Sequence, residues 1–164
     1  MTFVDTHPLR GAFIANFLDR LVGQIIEQGE DLLADVGLVF PSRAASSVLL
    51  IGERKFISAA DIGKALGQPH QLVTQRIDLL IKLGVVERME DPSDGRRKLL
   101  KLSPMGLDQL ERLQRRLTET AKVFADLFKE IDCDLWAVAT QTMSALADRS
   151  LVERANDLTA TSEK

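Results

Sequence analysis

Two short helical patterns separated by a glycine-bearing turn, with an immediate change of period from helix to strand, constrain this sequence more than any other feature. The first pattern opens at Ser58-Ala59-Ala60-Asp61 and ends at Leu66-Gly67. A Ser with an acid three residues on is a weak form of the capping box, which prefers Glu or Gln at its last place. The second starts at Pro69, in the first turn, where a helix tolerates proline. It carries Val73, Ile77 and Leu80 along one line to Leu83, and Gly84 stops it. Two helices joined by such a turn outline a helix-turn-helix. Beyond Gly84, Val85 to Met89 reads as a strand, Asp91-Pro92-Ser93-Asp94-Gly95 as a turn, and Arg97 to Leu102 as the returning strand. A hairpin directly behind the second helix is a wing.

Long helical patterns flank this centre. From Pro8 to Leu33, Phe13, Phe17, Leu21 and Ile25 fall on one line, with Ile14, Leu18 and Val22 beside it. That stripe is wide for a lone surface helix and predicts burial against more than one neighbour. A shorter helix is expected from Ser42 to Ile51, ended by Gly52. Ser103-Pro104 reopens helix as N-cap and first residue. Leu110, Leu113, Leu117, Phe124, Phe128 and Ile131 then form a coiled-coil-like seam. A last helix is predicted from Asp132 to Asn156 through Leu135, Val138, Ala139, Met143 and Leu146, with Asp157 to Lys164 as a frayed polar tail.

The predicted fold class is mainly α with a small β-hairpin wing: a winged helix-turn-helix flanked by N- and C-terminal dimerisation helices. The chain is read as a single domain over 1–164, with a helical dimerisation module at 8–36 and 104–156 and a DNA-binding lobe at 41–103. The flanks carry more apolar stripe than one small domain covers, so a homodimer is the economical expectation.

Several classes are excluded by what is missing. With Cys133 the only cysteine, no intrachain disulfide is possible and a reducing compartment is expected. His7, His70 and Cys133 are scattered, so neither a metal site nor a cofactor is expected. Apolar runs are far shorter than the roughly 20 residues that span a bilayer. Met1 to Arg10 lacks a basic segment followed by an apolar run, so neither a signal peptide nor a membrane partner is expected, and the localisation reads as cytoplasmic. Nucleotide-binding, zinc-protease and serine-hydrolase motifs are absent, so the chain is not read as an enzyme.

Charge at first argues against nucleic acid, since 21 basic residues against 24 acidic ones give −3. Its placement reverses that. Arg54 to Lys101 holds ten basic and six acidic residues, a net of +4, which leaves −7 on the remainder. A basic head on acidic supports is suited to orienting a module on phosphates.

Asp91-Pro92-Ser93-Asp94-Gly95-Arg96, continuing to Leu102-Ser103-Pro104-Met105-Gly106, resembles the wing signature of the MarR family of bacterial transcription regulators. That pattern is DP-x-D-x-R, five residues, then L-[TS]-x-x-G, and each fixed position is met. Gly84-Val85-Val86-Glu87-Arg88 is similar to the family's G-L-V-x-R lead into the wing. Ala60-Asp61-Ile62-Gly63 and Leu66-Gly67 fall at the motif's first helix. The match is specific from Ser58 to Gly106 and rests on helical pattern alone elsewhere. Gly63 departs from the usual alanine, and Pro69-His70-Gln71 is unusual at the start of a recognition helix.

With Val73, Ile77 and Leu80 turned inward, the second helix presents His70, Gln71, Thr74, Gln75 and Asp78 outward. Residues near the N-terminus of such a helix meet base edges in the major groove. Gln71 and Gln75 suit bidentate bonding to adenine, and His70 or Thr74 reaches bases or phosphate. Arg76 is assigned to the DNA backbone or an intrachain carboxylate. At the wing, Arg96 is placed to enter a narrow minor groove, and the resemblance implies that Asp94 holds Arg96 or the turn in shape. Arg97 and Lys98 are assigned to phosphates. Phe13, Phe17 and Trp136 are candidates for an effector pocket, against the alternative of a packed interior. Cys133 is expected to be a buried or inert thiol, and His7 to be a tail residue.

The leading expectation is therefore a sequence-specific regulator that binds double-stranded DNA. The resemblance implies a homodimeric repressor of a pseudo-palindromic operator, released by a small aromatic or phenolic effector. A winged-helix protein-interaction module without DNA binding is the competing reading.

Overall fold

The computed structural model describes residues 2–92 and 98–162, in two compact units, Met1–Thr118 and Glu119–Lys164. The first unit opens with α1 (Phe3–Thr6), a 3₁₀ turn (Arg10–Phe13) and α2 (Ile14–Ala34), followed by a 3₁₀ turn (Ser42–Ala44) and α3 (Ala45–Arg54). It continues through α4 (Ala59–Leu66), α5 (His70–Lys82), β1 (Val86–Glu90), β2 (Lys98–Leu102) and the first half of α6 (Pro104–Glu130). Its core gathers Val48 and Ile51 of α3, Ile62 of α4, Val73, Ile77 and Leu80 of α5, Leu100 of β2 and Leu113 of α6. Leu33 and Leu113 come from the expected flanking module, so the helices on either side of the winged helix share its core.

The caps of the helix-turn-helix form as their residue types dictate. Ser58 Oγ accepts the Asp61 N–H at 3.2 Å and donates to its carboxylate at 2.7 Å. Pro69 stands one place earlier than expected, as the N-cap of α5 rather than within its first turn. Gly84, at φ 73°, closes α5, and the N–H groups of Gly84 and Val85 reach back to the carbonyls of Ile81 and Leu80, both at 2.9 Å. The strands pair antiparallel from Val86↔Leu102 to Glu90↔Lys98, one residue displaced from the expected span of the first strand. Ile57 adds a third short pairing, to Leu100.

Four expectations are corrected. The first long helix does not begin at Pro8. Gly11 falls in a 3₁₀ turn and α2 starts at Ile14. His7 is no tail residue, since its ring lies 5.0 Å from Phe3 and 5.9 Å from Phe13, and its Nδ1 accepts the Leu9 N–H. Gly52 does not end α3, which runs to Arg54 with Lys55 taking the turn at φ 63°. The last helix is two, α7 (Leu135–Asp148) and α8 (Leu151–Ser162), and α8 extends through most of the expected frayed tail. The break has a local cause: Ser150 Oγ accepts the Glu153 N–H at 3.3 Å and the Glu153 carboxylate accepts the Ser150 N–H at 2.7 Å. This is a full capping box, written in the sequence as Ser150-x-x-Glu153.

The second unit holds the end of α6 with α7 and α8. Asp132, at φ 49°, ends α6, and the Asp134 carboxylate caps α7 through the Ala137 N–H at 3.0 Å. No residue of α7 is buried, and only Leu33 of α2 is. The apolar stripes of the flanking helices therefore face outward within this chain, with Ile14 61%, Leu18 52% and Met143 65% exposed. No helix of the described residues is long and apolar enough to cross a membrane. None of their His, Cys, Asp and Glu side chains cluster in a group able to hold a metal ion.

Candidate nucleic-acid interface

Helix α5 is amphipathic in the sense expected. Val73, Ile77 and Leu80 are 0–2% exposed, while His70, Gln71, Gln75 and Asp78 face out and Thr74 is half-buried. The Gln71 and Gln75 amides, one turn apart, make no hydrogen bond among the described residues and are free to meet an external partner. Thr74 differs: its hydroxyl donates to the His70 carbonyl at 3.0 Å, which leaves it only as an acceptor outward. Arg76 is half-buried, and its guanidinium donates to the Gln68 side-chain carbonyl at 2.5 Å. Burial first, and then the like charge of Arg43, lowers its pKa. The intrachain partner of Arg76 is thus an amide, not the expected carboxylate, and the contact ties α5 to the turn before it.

The hairpin lies beside this helix. Val86, Leu100 and Leu102 bury the base of the strands. Further out, Arg88, Glu90 and Lys98 share that face by the pleat and line a groove of about 450 Å³ with His70 and Thr74. Arg88 pairs with Asp78 of α5 at 2.5 Å, Lys98 with Glu90 at 2.7 Å and Lys101 with Glu87 at 3.2 Å. The Lys98 ammonium, bonded to Glu90, holds that carboxyl below the usual carboxylate range. Lys98, assigned from sequence to phosphate, thus has an intrachain acid beside it. Asp94, Arg96 and Arg97 lie outside the described residues. Arg54 and Lys64, with the half-exposed ring of Phe56 between α3 and α4, make no ion pair among the described residues.

The Asp78–Arg88 pair escaped the sequence reading although both residues were in view. Register could have found it, since Arg88 shares the α5-facing side of β1 with Val86. The effector candidates are placed separately. In the first unit Phe13 meets His7 edge to face, and Phe17 lies under the Arg20 guanidinium at 4.7 Å. In the second, Trp136 is 76% exposed.

Residues 42–97 match the model of the MarR family. The matched span covers the helix-turn-helix and the first strand of the hairpin, so this part of the chain is similar to the MarR-family winged helix. The PcaV transcriptional regulator from Streptomyces coelicolor, solved in complex with its natural ligand, is 21% identical, covering 92% of this chain and 98% of its own, with a TM-score of 0.64. A single-site mutant of MarR from E. coli, solved with operator DNA, is 25% identical over 82% of this chain and 93% of its own, at 0.53. The adhesin competence repressor AdcR from Streptococcus pyogenes is 18% identical over 85% and 98%, at 0.57. A search among curated sequences finds no significant match. The fold is that of MarR-family transcriptional regulators.

The end of the MarR signature has a packing reason. Ser103 Oγ donates to the Gly84 carbonyl at 2.6 Å and accepts the Gly106 N–H at 2.9 Å, joining the end of α5 to the start of α6 across the base of the wing. A Cβ at Gly106 would stand 2.0 Å from the Val85 carbonyl oxygen, so only glycine lets α6 approach so closely.

Proposed function

We propose that the protein is a cytoplasmic, sequence-specific DNA-binding regulator that acts as a homodimer on a pseudo-palindromic operator. The observation that carries this reading is the outward face of α5. Its Gln71 and Gln75 amides have no partner among the described residues, the apolar face opposite is anchored in the core, and a hairpin stands beside it. Such a helix offers donors and acceptors to base edges in the major groove. His70 and Thr74 supply further contacts, Arg76 braces the helix and reaches the DNA backbone, and Asp94, Arg96, Arg97 and Lys98 form the wing's share. The outward stripes of α2 and of α7, each in its own unit, support a dimer, because exposed apolar stripes of this kind mark association faces. A two-fold axis then sets the two reading heads about 10 bp apart or a multiple of it.

Repression and release by a small aromatic or phenolic effector belong to the same proposal. They are supported by the likeness over nearly the whole chain to a regulator solved with its natural ligand. Phe13, Phe17 and Trp136 are the candidate contacts. Trp136 is the only tryptophan, so its fluorescence reports ligand directly. The test is footprinting on the DNA upstream of the protein's own gene, with and without phenolic acids. Paired protected half-sites, lost on adding ligand, are expected. No protection of any fragment at low salt would favour the protein-interaction module instead.

A further inference from the structure

Among the described residues, the hairpin is tied to the rest of the head in three places. At its base, Ser103 and Gly84 lock the strand ends together. On one side, Leu100 of β2 exchanges backbone hydrogen bonds with Ile57 at 2.9 and 3.2 Å. On the other side lies β1, the outer strand, whose side-chain tie to α5 is Arg88 to Asp78 at 2.5 Å. That pair spans the groove between reading helix and hairpin, and both side chains are about half exposed. An ion pair so exposed adds little to folding stability. What it fixes is geometry: one guanidinium is held against the reading helix, and the outer strand is held at one pitch to α5. The other described strand cations, Lys98 and Lys101, are matched by acids across the hairpin. The strands therefore meet DNA with their cations already directed.

We propose that Asp78 is a specificity-determining positioning residue, which holds Arg88 and with it the pitch of the wing against the recognition helix. It contacts no phosphate itself. Its carboxylate keeps Arg88 from pairing with any phosphate that passes, and aligns the hairpin with the bases that α5 reads. The inference rests on the DNA-reading function proposed above.

Removing the carboxylate has two opposite effects. A released Arg88 strengthens binding to any duplex by one more phosphate contact, while a loosened hairpin weakens binding to the one duplex that needs both elements in register. A charge effect alone would raise both affinities together. The experiment selects a preferred duplex with wild-type protein from a random pool, then measures Kd for it and for a shuffled duplex of equal length, over a salt series. Asp78→Asn is expected to lower the ratio of specific to non-specific affinity about tenfold or more, with non-specific affinity rising. Asp78→Glu is expected to keep most of the ratio. Thermal unfolding of both variants checks that each is folded, which their exposed position favours. A ratio unchanged in Asp78→Asn, or both affinities rising together, overturns the role of Asp78 and leaves the DNA-reading function standing. A wild-type protein that selects no duplex overturns that function, and this inference with it.

Discussion

Gly106 shows how far a single residue shapes this head. With the Val85 carbonyl oxygen 2.0 Å from where a methyl would sit, Gly106→Ala must push α6 from the base of the wing. Forced overpacking of this kind is expected to cost at least about 2 kcal/mol, read as a lowered midpoint in urea unfolding. Its neighbour Gln109 is almost fully buried, accepting the Val39 N–H at 2.9 Å and donating to the Gly37 carbonyl at 3.2 Å. Gln109→Leu leaves both loop groups without that partner and is expected to cost about 1–3 kcal/mol in the same assay. At the N-terminus, Arg20 hydrogen-bonds and pairs with Asp5 at 2.5 Å and holds its carboxyl far below the usual range. A carboxyl depressed on folding stabilises above its unfolded pKa and loses that contribution as pH falls through the folded value. The Asp5 tie is therefore expected to survive acidification that protonates ordinary carboxylates. A carboxyl-carbon NMR titration should place its midpoint below theirs, and Arg20→Gln should raise it toward the ordinary range, with the Thr2 N–H still holding it somewhat lower.

Elements were legible in the sequence wherever local chemistry and burial agreed. The α4–turn–α5 unit and the hairpin emerged because Ser58, Gly84 and the apolar line Val73, Ile77, Leu80 all point to one solution. The third pairing at Ile57 was not legible, since a single bridged residue has no period to read. Gly52 misled because glycine is a common helix stop, whereas here the helix runs through it. The division of the last helix was readable and missed: apolar spacing runs on past Arg149, but the Ser150–Glu153 box restarts the helix. Ser150→Ala is expected to destabilise α8 by about 1 kcal/mol. Hydrogen exchange should show faster exchange confined to the first turns of α8. At the candidate interface, the exposed polar face of α5 was legible from helical spacing. The register of β1 put Arg88 on the side facing α5, but the choice of Asp78 as its partner depends on how the hairpin leans against the helix.

For the whole molecule, the net of −3 divides into a basic head and acidic supports, and the apolar stripes of those supports lie open in a single chain. A second copy is the occupant the proposal requires. Leu18→Glu, on the exposed stripe of α2, is expected to shift sedimentation from dimer toward monomer and to weaken operator binding in step, since one head alone reads one half-site. The central claim, that the face of α5 reads bases, is tested most directly by equilibrium binding of wild type and Gln75→Ala to the selected duplex and to a shuffled one. The account predicts a wild-type preference for the selected duplex, and a loss in Gln75→Ala of about 1–3 kcal/mol on that duplex alone. Equal affinity of wild type for both duplexes, or an equal loss on both, would contradict it.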